Sequence, residues 1–342
     1  MSAFINRIGT AVPAHDIHAP FLAFATTLLP DAKSRSVFER MAARAGIDHR
    51  FSHLRPGDIA AGEVDAEGFY RRGAFPGTAD RMKAYETHAL GLALAAIARL
   101  GDISGVTHVI VASCTGFTAP GLDLQITAAL GLRHDVSRMI IGFMGCAAAV
   151  PALRAADAIV RADAASRVLV VNVELCSLHM RETADIETAL TFLLFGDGAA
   201  AALVTADAQG IALGGFASRI LPDSAGLITW AIGDQGFEMF LSGQVPARIA
   251  DALRRDPPGA FDLWAVHAGG RTVLDAVEIS LHLPPAALAP SRNVLKAHGN
   301  MSSATLMFVL AGMLRDAARG NGLAMAFGPG MAAESFQFAM VE

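Results

Sequence analysis

Cys146 is the residue of this 342-residue sequence that is best placed for nucleophilic chemistry. The small residues Gly145 and Ala147 flank it and leave room for a substrate carbonyl, and apolar residues recur at helical spacing from Val150 to Val160. The sequence therefore predicts a thiol at a helix N-terminus, where the partial positive charge of free backbone amides lowers a thiol pKa and favours the thiolate. The alternative is a buried structural cysteine, which is a common role for this residue type.

Two further polar residues, His267 and Asn300, could act on the same substrate. His267 directly follows the apolar run 263–266 and precedes an Ala-Gly-Gly segment in which the backbone can bend sharply. An imidazole at such a position can pair with a thiolate and then donate hydrogen bonds. Asn300 opens a predicted helix and could merely cap it. A structural role is likewise the alternative for His267.

Apolar runs of strand length alternate with segments of helical periodicity, which is typical of an α/β protein. Most of the runs lack period-two alternation, as expected of strands that are buried on both faces. The predicted strands are 106–112, 139–141, 167–173, 199–204, 263–266 and 324–327, and the predicted helices are 84–100, 122–132, 148–162, 272–281 and 301–318. Low-complexity linkers are absent, so we expect one compact body.

The spacing of the polar residues indicates a faint internal duplication. One predicted strand ends near Cys114, and a helix and a second strand lead to Cys146, 32 residues further on. Another predicted strand ends at His267, and a helix leads to Asn300, 33 residues further on. Because clefts form at the carboxyl ends of parallel strands, two such repeats packed together would bring these side chains into one site.

Five short motifs, in order and in register across nearly the whole chain, resemble the type III polyketide synthases of the chalcone synthase superfamily. They are Gly-Cys-Ala at 145–147, Phe-Gly-Asp-Gly-Ala-Ala at 195–200, His-Ala-Gly-Gly at 267–270, Gly-Asn-Met-Ser-Ser at 299–303 and Phe-Gly-Pro-Gly at 327–330. The resemblance implies a thiolase-like fold, in which a duplicated strand-helix unit forms a five-layered αβαβα core. It assigns residues 1–205 to the half that carries the nucleophilic cysteine and residues 206–342 to the half that carries the histidine and asparagine. It also implies a homodimer and a narrow tunnel that admits the coenzyme A arm.

The resemblance implies an acyltransferase that works through Cys146, His267 and Asn300. Cys146 would accept the acyl group of an acyl-CoA starter, and malonyl-CoA would then lose CO₂ while His267 and Asn300 donate hydrogen bonds to its thioester oxygen. Repeated condensation and cyclisation would give a pyrone or a resorcinol-type product. CoA thioesters would be the substrates, with no metal and no redox cofactor.

Two alternatives to this reaction remain open. A ketoacyl synthase III-like enzyme shares the fold and the Cys-His-Asn site but performs a single condensation with malonyl that is carried by acyl carrier protein. A non-catalytic subunit of the same fold would only bind acyl chains. The products formed from acyl-CoA and malonyl-CoA alone distinguish the first alternative from the polyketide synthase.

The resemblance also assigns residues to the acyl cavity. Phe195 matches the gatekeeping aromatic residue between tunnel and cavity, and Met239 falls where plant members carry a second gatekeeping Phe. Thr115, Ala119 and Cys176 match positions that line the cavity, and Ala119 replaces a bulky methionine of plant members. These small side chains predict a channel for a medium- or long-chain starter, as in bacterial members that make alkylpyrones or alkylresorcinols. The alternative is that all of them are ordinary core residues.

Two arginines are candidates for binding the nucleotide of CoA. Arg40 and Arg44 lie four residues apart, so on a helix they share one face and could meet its phosphates. They match basic positions of the family, whereas Val37 stands where plant members have a third basic residue. A solvated helix face is the alternative. The resemblance further suggests a cis bond at Pro120, in a loop that reaches the partner subunit.

Composition limits the other possibilities. The net charge of −5, without a run of Lys or Arg, argues against nucleic acid as a partner. The hydrophobic content of 53% favours a homo-oligomer. The longest stretch free of charged or strongly polar residues, 139–153, is too short and too rich in Gly and Pro for a transmembrane segment, and the N-terminus offers no signal-peptide core. Three widely spaced cysteines fit neither a disulfide framework nor a metal site, which favours the cytoplasm.

Overall fold

The computed structural model describes residues 2–341. Its strands are β1 (Phe4–Ala11), β2 (His15–Asp16), β3 (Phe51–Ser52), β4 (His108–Ser113), β5 (Ser137–Gly142), β6 (Val168–Leu175), β7 (Asp197–Thr205), β8 (Gly210–Ile220), β9 (Ile228–Gly233), β10 (Gly236–Leu241), β11 (Leu263–Val266), β12 (Asn321–Gly328) and β13 (Ala332–Val341). Its α-helices are α1 (His18–Leu28), α2 (Ala32–Arg44), α3 (Thr78–Ala98), α4 (Leu122–Ala129), α5 (Ala149–Ala162), α6 (Ile186–Phe192), α7 (Val245–Arg255), α8 (Arg271–Ser280), α9 (Ala289–His298) and α10 (Ala304–Arg315). Among the described helices, none is long and apolar enough to cross a membrane.

One mixed sheet of nine strands organises the fold, in the order β11-β12-β13-β8-β1-β7-β6-β4-β5. β4 runs parallel to both β5 and β6, and β11 runs parallel to β12. The central strand β1 is antiparallel to β7 and, through Phe4 and Ile5, to β8. The sheet therefore has a first wing built from residues 4–205 and a second wing built from residues 210–341.

Three clusters of buried apolar residues place helices around these wings. α3 covers the outer face of the first wing, around Ala93 and Val171. α5 and α10 fill the space between the wings, where Leu153 and Leu310 belong to a cluster that includes strand residues of both. α7, α8 and α9 cover the outer face of the second wing around Leu274. The result is the predicted five-layered α, β, α, β, α arrangement.

The strands and helices predicted from periodicity all overlap observed elements. The helix predicted from 84 begins earlier, at Thr78. The last predicted helix begins at Ala304 rather than at 301, because Ser302 adopts a positive φ of 48° and belongs to the turn after Asn300. Within the nine-stranded sheet, the prediction omitted β1, β8 and β13. These strands contain polar residues and mix buried positions with partly or fully exposed ones, unlike the uniformly buried β6 and β7.

Candidate active site

Cys146 lies in a single 3-10 turn, Gly145–Ala147, between the end of β5 and the start of α5. Gly145 has φ +57°, and a Cβ there would stand 2.5 Å from Cδ of Pro329. Only glycine satisfies both constraints, because the left-handed conformation and the missing side chain let this turn pack against the Phe-Gly-Pro-Gly segment. Two of the motifs that are far apart in sequence therefore form one wall of the site. As predicted, the thiol precedes a helix.

His267 follows the last residue of β11, and its backbone amide donates to the carbonyl of Met325 on β12 at 2.8 Å. The residue is 2% exposed. Neither ring nitrogen has a hydrogen-bond partner among residues 2–341. A buried imidazole without partners is unfavourable unless a ligand uses its nitrogens, and His267 lines the cavity that also contains Cys146 and Asn300.

Asn300 is held on both sides by backbone groups. Its amide donates to the carbonyl of Leu194 at 2.8 Å, and its own carbonyl accepts from Gly196 at 3.0 Å. The side-chain Oδ1 accepts from the amide of Ser302 at 2.8 Å, and Nδ2 donates to the carbonyl of Gly269 at 3.2 Å. These contacts fix the carboxamide in a turn ahead of α10 instead of capping that helix. They place both Oδ1 and Nδ2 3.9 Å from the Cys146 sulfur.

The electrostatics of the thiol differ from the sequence prediction. Burial raises the pKa of Cys146 to about 11, and the Glu174 charge raises it too, whereas hydrogen bonds with Ser302 and Asn300 only partly oppose this. The prediction of a lowered pKa was wrong because it weighed the helix N-terminus without the loss of solvent. Burial also lowers the pKa of His267 to about 3. Both groups are therefore neutral in the free protein at neutral pH.

A buried carboxylate stands behind the cavity wall and was not identified from the sequence. Glu174, on β6, is fully buried and accepts from the Cys114 amide at 3.0 Å, Thr115 Oγ1 at 2.9 Å and Ser303 Oγ at 2.5 Å. Burial raises its pKa. Cys114 Sγ lies 3.1 Å from Ser302 Oγ, so this network links β4 and β6 to the turn that carries Asn300. A glutamate in a strand that is apolar apart from Asn172 was the available signal.

Four of the five residues assigned to the acyl cavity line the cavity that contains Cys146. They are Thr115, Cys176, Phe195 and Met239. Thr115 is engaged, since its hydroxyl donates to Glu174. Ala119 is different. It lies exposed in the loop after β4, its bond to Pro120 is cis, and it is not part of the cavity lining in its own chain.

Arg40 and Arg44 are exposed on α2, outside the cavity lining. The Arg44 carbonyl accepts from Nη1 of Arg271 at 3.1 Å. Arg271 is the first residue of α8 and follows His267 by four positions. The C-terminal end of α2 thus lies beside the loop that carries His267, with three arginines at the protein surface.

Comparison with known families identifies the chain. Residues 2–208 match the N-terminal domain of the chalcone and stilbene synthases, and residues 213–341 match their C-terminal domain. The chain belongs to this family and is a type III polyketide synthase, with the thiolase-like fold that the sequence motifs predicted.

Relatives with known names include plant and bacterial enzymes. The chain is 32% identical over 329 residues to bisdemethoxycurcumin synthase of Oryza sativa, covering 87% of this chain and 81% of that protein. It is 33% identical over 290 residues to the alpha-pyrone synthesis polyketide synthase-like Pks18 of Mycobacterium tuberculosis, covering 77% and 73%. Among solved structures, 1,3,6,8-tetrahydroxynaphthalene synthase of Streptomyces coelicolor superposes with a TM-score of 0.88 at 28% identity, covering 99% of each chain.

Proposed function

We propose that this enzyme loads an acyl-CoA starter on Cys146 and extends it iteratively with malonyl-CoA to a pyrone or resorcinol-type product. The observation that carries the proposal is that Cys146, His267 and Asn300, from three distant segments, line one largely apolar cavity. The similarity to Pks18, whose name describes alpha-pyrone synthesis, supports the product class. CoA thioesters are the substrates, and the scheme uses no bound metal or redox group.

Loading begins from a neutral pair. Because the thiol and the imidazole both start neutral, His267 can accept the thiol proton as a general base while sulfur attacks the thioester carbonyl. The carbon–sulfur bond to CoA then breaks, and the imidazolium returns the proton to the leaving CoA thiolate. The acyl group stays on Cys146 and His267 is neutral again.

Extension uses the hydrogen-bond donors of the site. When malonyl-CoA loses CO₂, the electron pair moves onto the thioester oxygen as an enolate. The Asn300 Nδ2 and the N–H of neutral His267 are the donors available to that oxygen, and a preorganised donor of this kind is typically worth about 3 kcal/mol. The carbanion carbon then attacks the Cys146 thioester carbonyl, and the carbon–sulfur bond breaks. The extended chain leaves as a CoA thioester, and the released Cys146 thiolate takes up a proton from solvent before the next cycle.

The exposed arginines support a surface site for the CoA nucleotide. Arg40 and Arg44 lie at the end of α2, and Arg271 ties that end to the loop of His267. Guanidinium groups bind phosphate oxygens through paired hydrogen bonds, so these arginines could hold the phosphates of CoA. The pantetheine arm of CoA bound there would point towards His267 and Cys146.

A homodimer is part of the proposal, with β5 as the contact. β5 is one of the two edge strands of the nine-stranded sheet, and its residues Met139 and Ile140 are 43% and 45% exposed. Phe117 and Leu124 are exposed nearby on the loop after β4 and on α4. An open edge with apolar side chains is normally covered by another chain, and a second copy would also cover Ala119 in the same loop.

We expect the wild-type protein to elute with a mass of twice the 35.6 kDa of one chain. Ile140→Arg should shift the equilibrium towards the monomer, because it would bury a charge without a partner at the contact. Size-exclusion chromatography with light scattering measures this. Ile220→Arg, at an exposed apolar residue on β8 in the other wing, is the matched control and should remain dimeric. A wild-type protein that stays monomeric at micromolar concentration would refute this part of the proposal.

Incubation with acyl-CoA thioesters of increasing length and malonyl-CoA alone should yield triketide or tetraketide pyrones or resorcinols by mass spectrometry, with medium or long starters preferred. Cys176→Phe should lower the maximum length of the acyl-CoA starter that the enzyme accepts, since the larger ring would occupy part of the cavity. Cys176→Ala removes volume and should not shorten it. A strict need for acyl carrier protein with only a β-keto product would instead show the single-condensation enzyme, and an unchanged length range in Cys176→Phe would contradict the channel.

A further inference from the structure

A second cavity lies behind the wall of the first. Cys176, Phe192 and Phe195 line both cavities, and the second extends below α1 to Phe21 and Arg50. Most of its remaining lining is apolar. The two cavities are therefore neighbours, and a chain attached to Cys146 that passed between these three residues would enter a second, mostly apolar space.

Arg50 is an unusual member of that lining, because it is charged and only 1% exposed. Its Nη1 donates to the carbonyls of Phe192 and Phe195 at 2.9 and 2.8 Å, and its Nε donates to Nδ1 of His18 at 3.0 Å. The guanidinium carbon lies 4.5 Å from the ring centre of Phe21. Nη2 is also buried, yet no atom of the described chain accepts a hydrogen bond from it.

Burial disfavours the charge of the side chain that carries this unpartnered donor but does not remove it. Burial lowers the pKa of Arg50 to about 9, although the charges of Asp16 and Asp197 act in the opposite direction. The side chain is still a cation at neutral pH. A buried cation with a free N–H is energetically unfavourable until an acceptor, best an anionic one, meets it.

The other polar groups of the second cavity are already engaged. Asp65 accepts from two backbone amides, and the Tyr70 hydroxyl donates to the Ser177 carbonyl at 2.7 Å. The hydroxyls of Ser52 and Ser177 are 2.7 Å apart, and Arg55 is ion-paired at the surface with a neighbouring glutamate. Arg50 is therefore the buried donor that stays available to a ligand in this lining.

We propose that the second cavity binds the distal end of a starter acyl chain that carries a terminal carboxylate, with the Arg50 guanidinium as its anchor. This deepens the proposed function, on which it rests, by naming ω-carboxyacyl thioesters as a substrate class. The thioester end sits at Cys146, the methylene chain passes Cys176, and the far carboxylate accepts from Nη2. The charge-assisted hydrogen bond satisfies the donor and neutralises the buried charge.

The wild-type enzyme tests this directly with two series of CoA thioesters, from hexanoyl to hexadecanoyl, that end in a methyl group or in a carboxylate. For each length the ratio of kcat/KM, carboxylate over methyl, is measured. Short carboxylated chains should be poor substrates, because their carboxylate would lie in an apolar part of the cavity before it reaches Arg50. The ratio should then rise by roughly tenfold or more at the lengths that reach Arg50. A ratio that stays flat or falls with length overturns the inference while methyl-ended starters still give polyketides.

Arg50→Met should remove the rise in the ratio, and Arg50→Lys should keep part of it. Arg133→Met, at an exposed arginine paired with Asp135, is the matched control and should keep all of it. A folded Arg50→Met enzyme with the full rise overturns the assignment of the anchor. If the Arg50 variants do not fold, the wild-type series decides alone. Absence of polyketide from every starter would overturn the proposed function together with this inference.

Discussion

Replacement of Cys146 by alanine should abolish polyketide formation, lowering turnover of every acyl-CoA starter by roughly 10⁴-fold or more. In the proposed mechanism the thiol holds the acyl chain covalently while it is extended, and alanine offers no bond to the acyl carbon. Product mass spectrometry measures the loss. Intact-protein mass spectrometry should show an adduct of starter size on the wild-type enzyme and none on the variant.

Decarboxylation of malonyl-CoA supplies the internal control for Cys146→Ala. That step places negative charge on the substrate oxygen, so in the proposed mechanism it depends on the donors His267 and Asn300 and not on sulfur. The variant should therefore still release CO₂ from malonyl-CoA, which also shows that the cavity is folded. Continued polyketide formation by this variant would contradict the role proposed for Cys146.

The convergence of Cys146, His267 and Asn300 could be predicted because each follows a local pattern that linear sequence displays. Cys146 stands between small residues before a helix, and His267 stands directly after an apolar strand. Packing of the two wings then brings the ends of these elements together. The helix boundary at Ala304 could not be predicted, since the turn after Asn300 depends on hydrogen bonds to Leu194 and Gly269.

Properties that depend on solvent exclusion were not visible in the sequence. The neighbours of Cys146 in the chain indicate a helix N-terminus, but its raised pKa comes from burial by several segments. Glu174 and Arg50 appear in the sequence as ordinary charged residues near strands. Only the folded chain shows that both side chains are buried. It also shows that Glu174 accepts several hydrogen bonds, whereas Nη2 of Arg50 has no acceptor.

Ala119 shows a different limit. Its family position predicts a cavity residue, yet in one chain it is exposed in the loop after β4. In the proposed homodimer, the loop of Ala119 would meet a second copy, a contact that neither the periodicity nor the fold of one chain reveals. A wild-type protein that is monomeric in the measurement on Ile140→Arg would therefore exclude Ala119 from the acyl cavity.

Replacement of Asn300 by aspartate should lower the rate of malonyl-CoA decarboxylation by about 10²- to 10³-fold, close to 3–4 kcal/mol of transition-state stabilisation. The side chain keeps its shape, and an oxygen can still accept from the Ser302 amide. However, the Nδ2 donor is replaced by a carboxylate, which repels the enolate oxygen instead of stabilising it.

The same Asn300→Asp variant should still form the acyl-enzyme on Cys146, because loading relies on the thiol and on His267 as base. The two steps are separated by measuring CO₂ release from malonyl-CoA and the starter adduct by intact-protein mass spectrometry. Asn321→Asp, at an exposed residue that begins β12, is the matched control and should change neither step. Unimpaired decarboxylation in Asn300→Asp would contradict the role proposed for the carboxamide. Loss of both steps together would indicate that Asn300 instead maintains the position of Cys146, whose sulfur lies 3.9 Å from Nδ2.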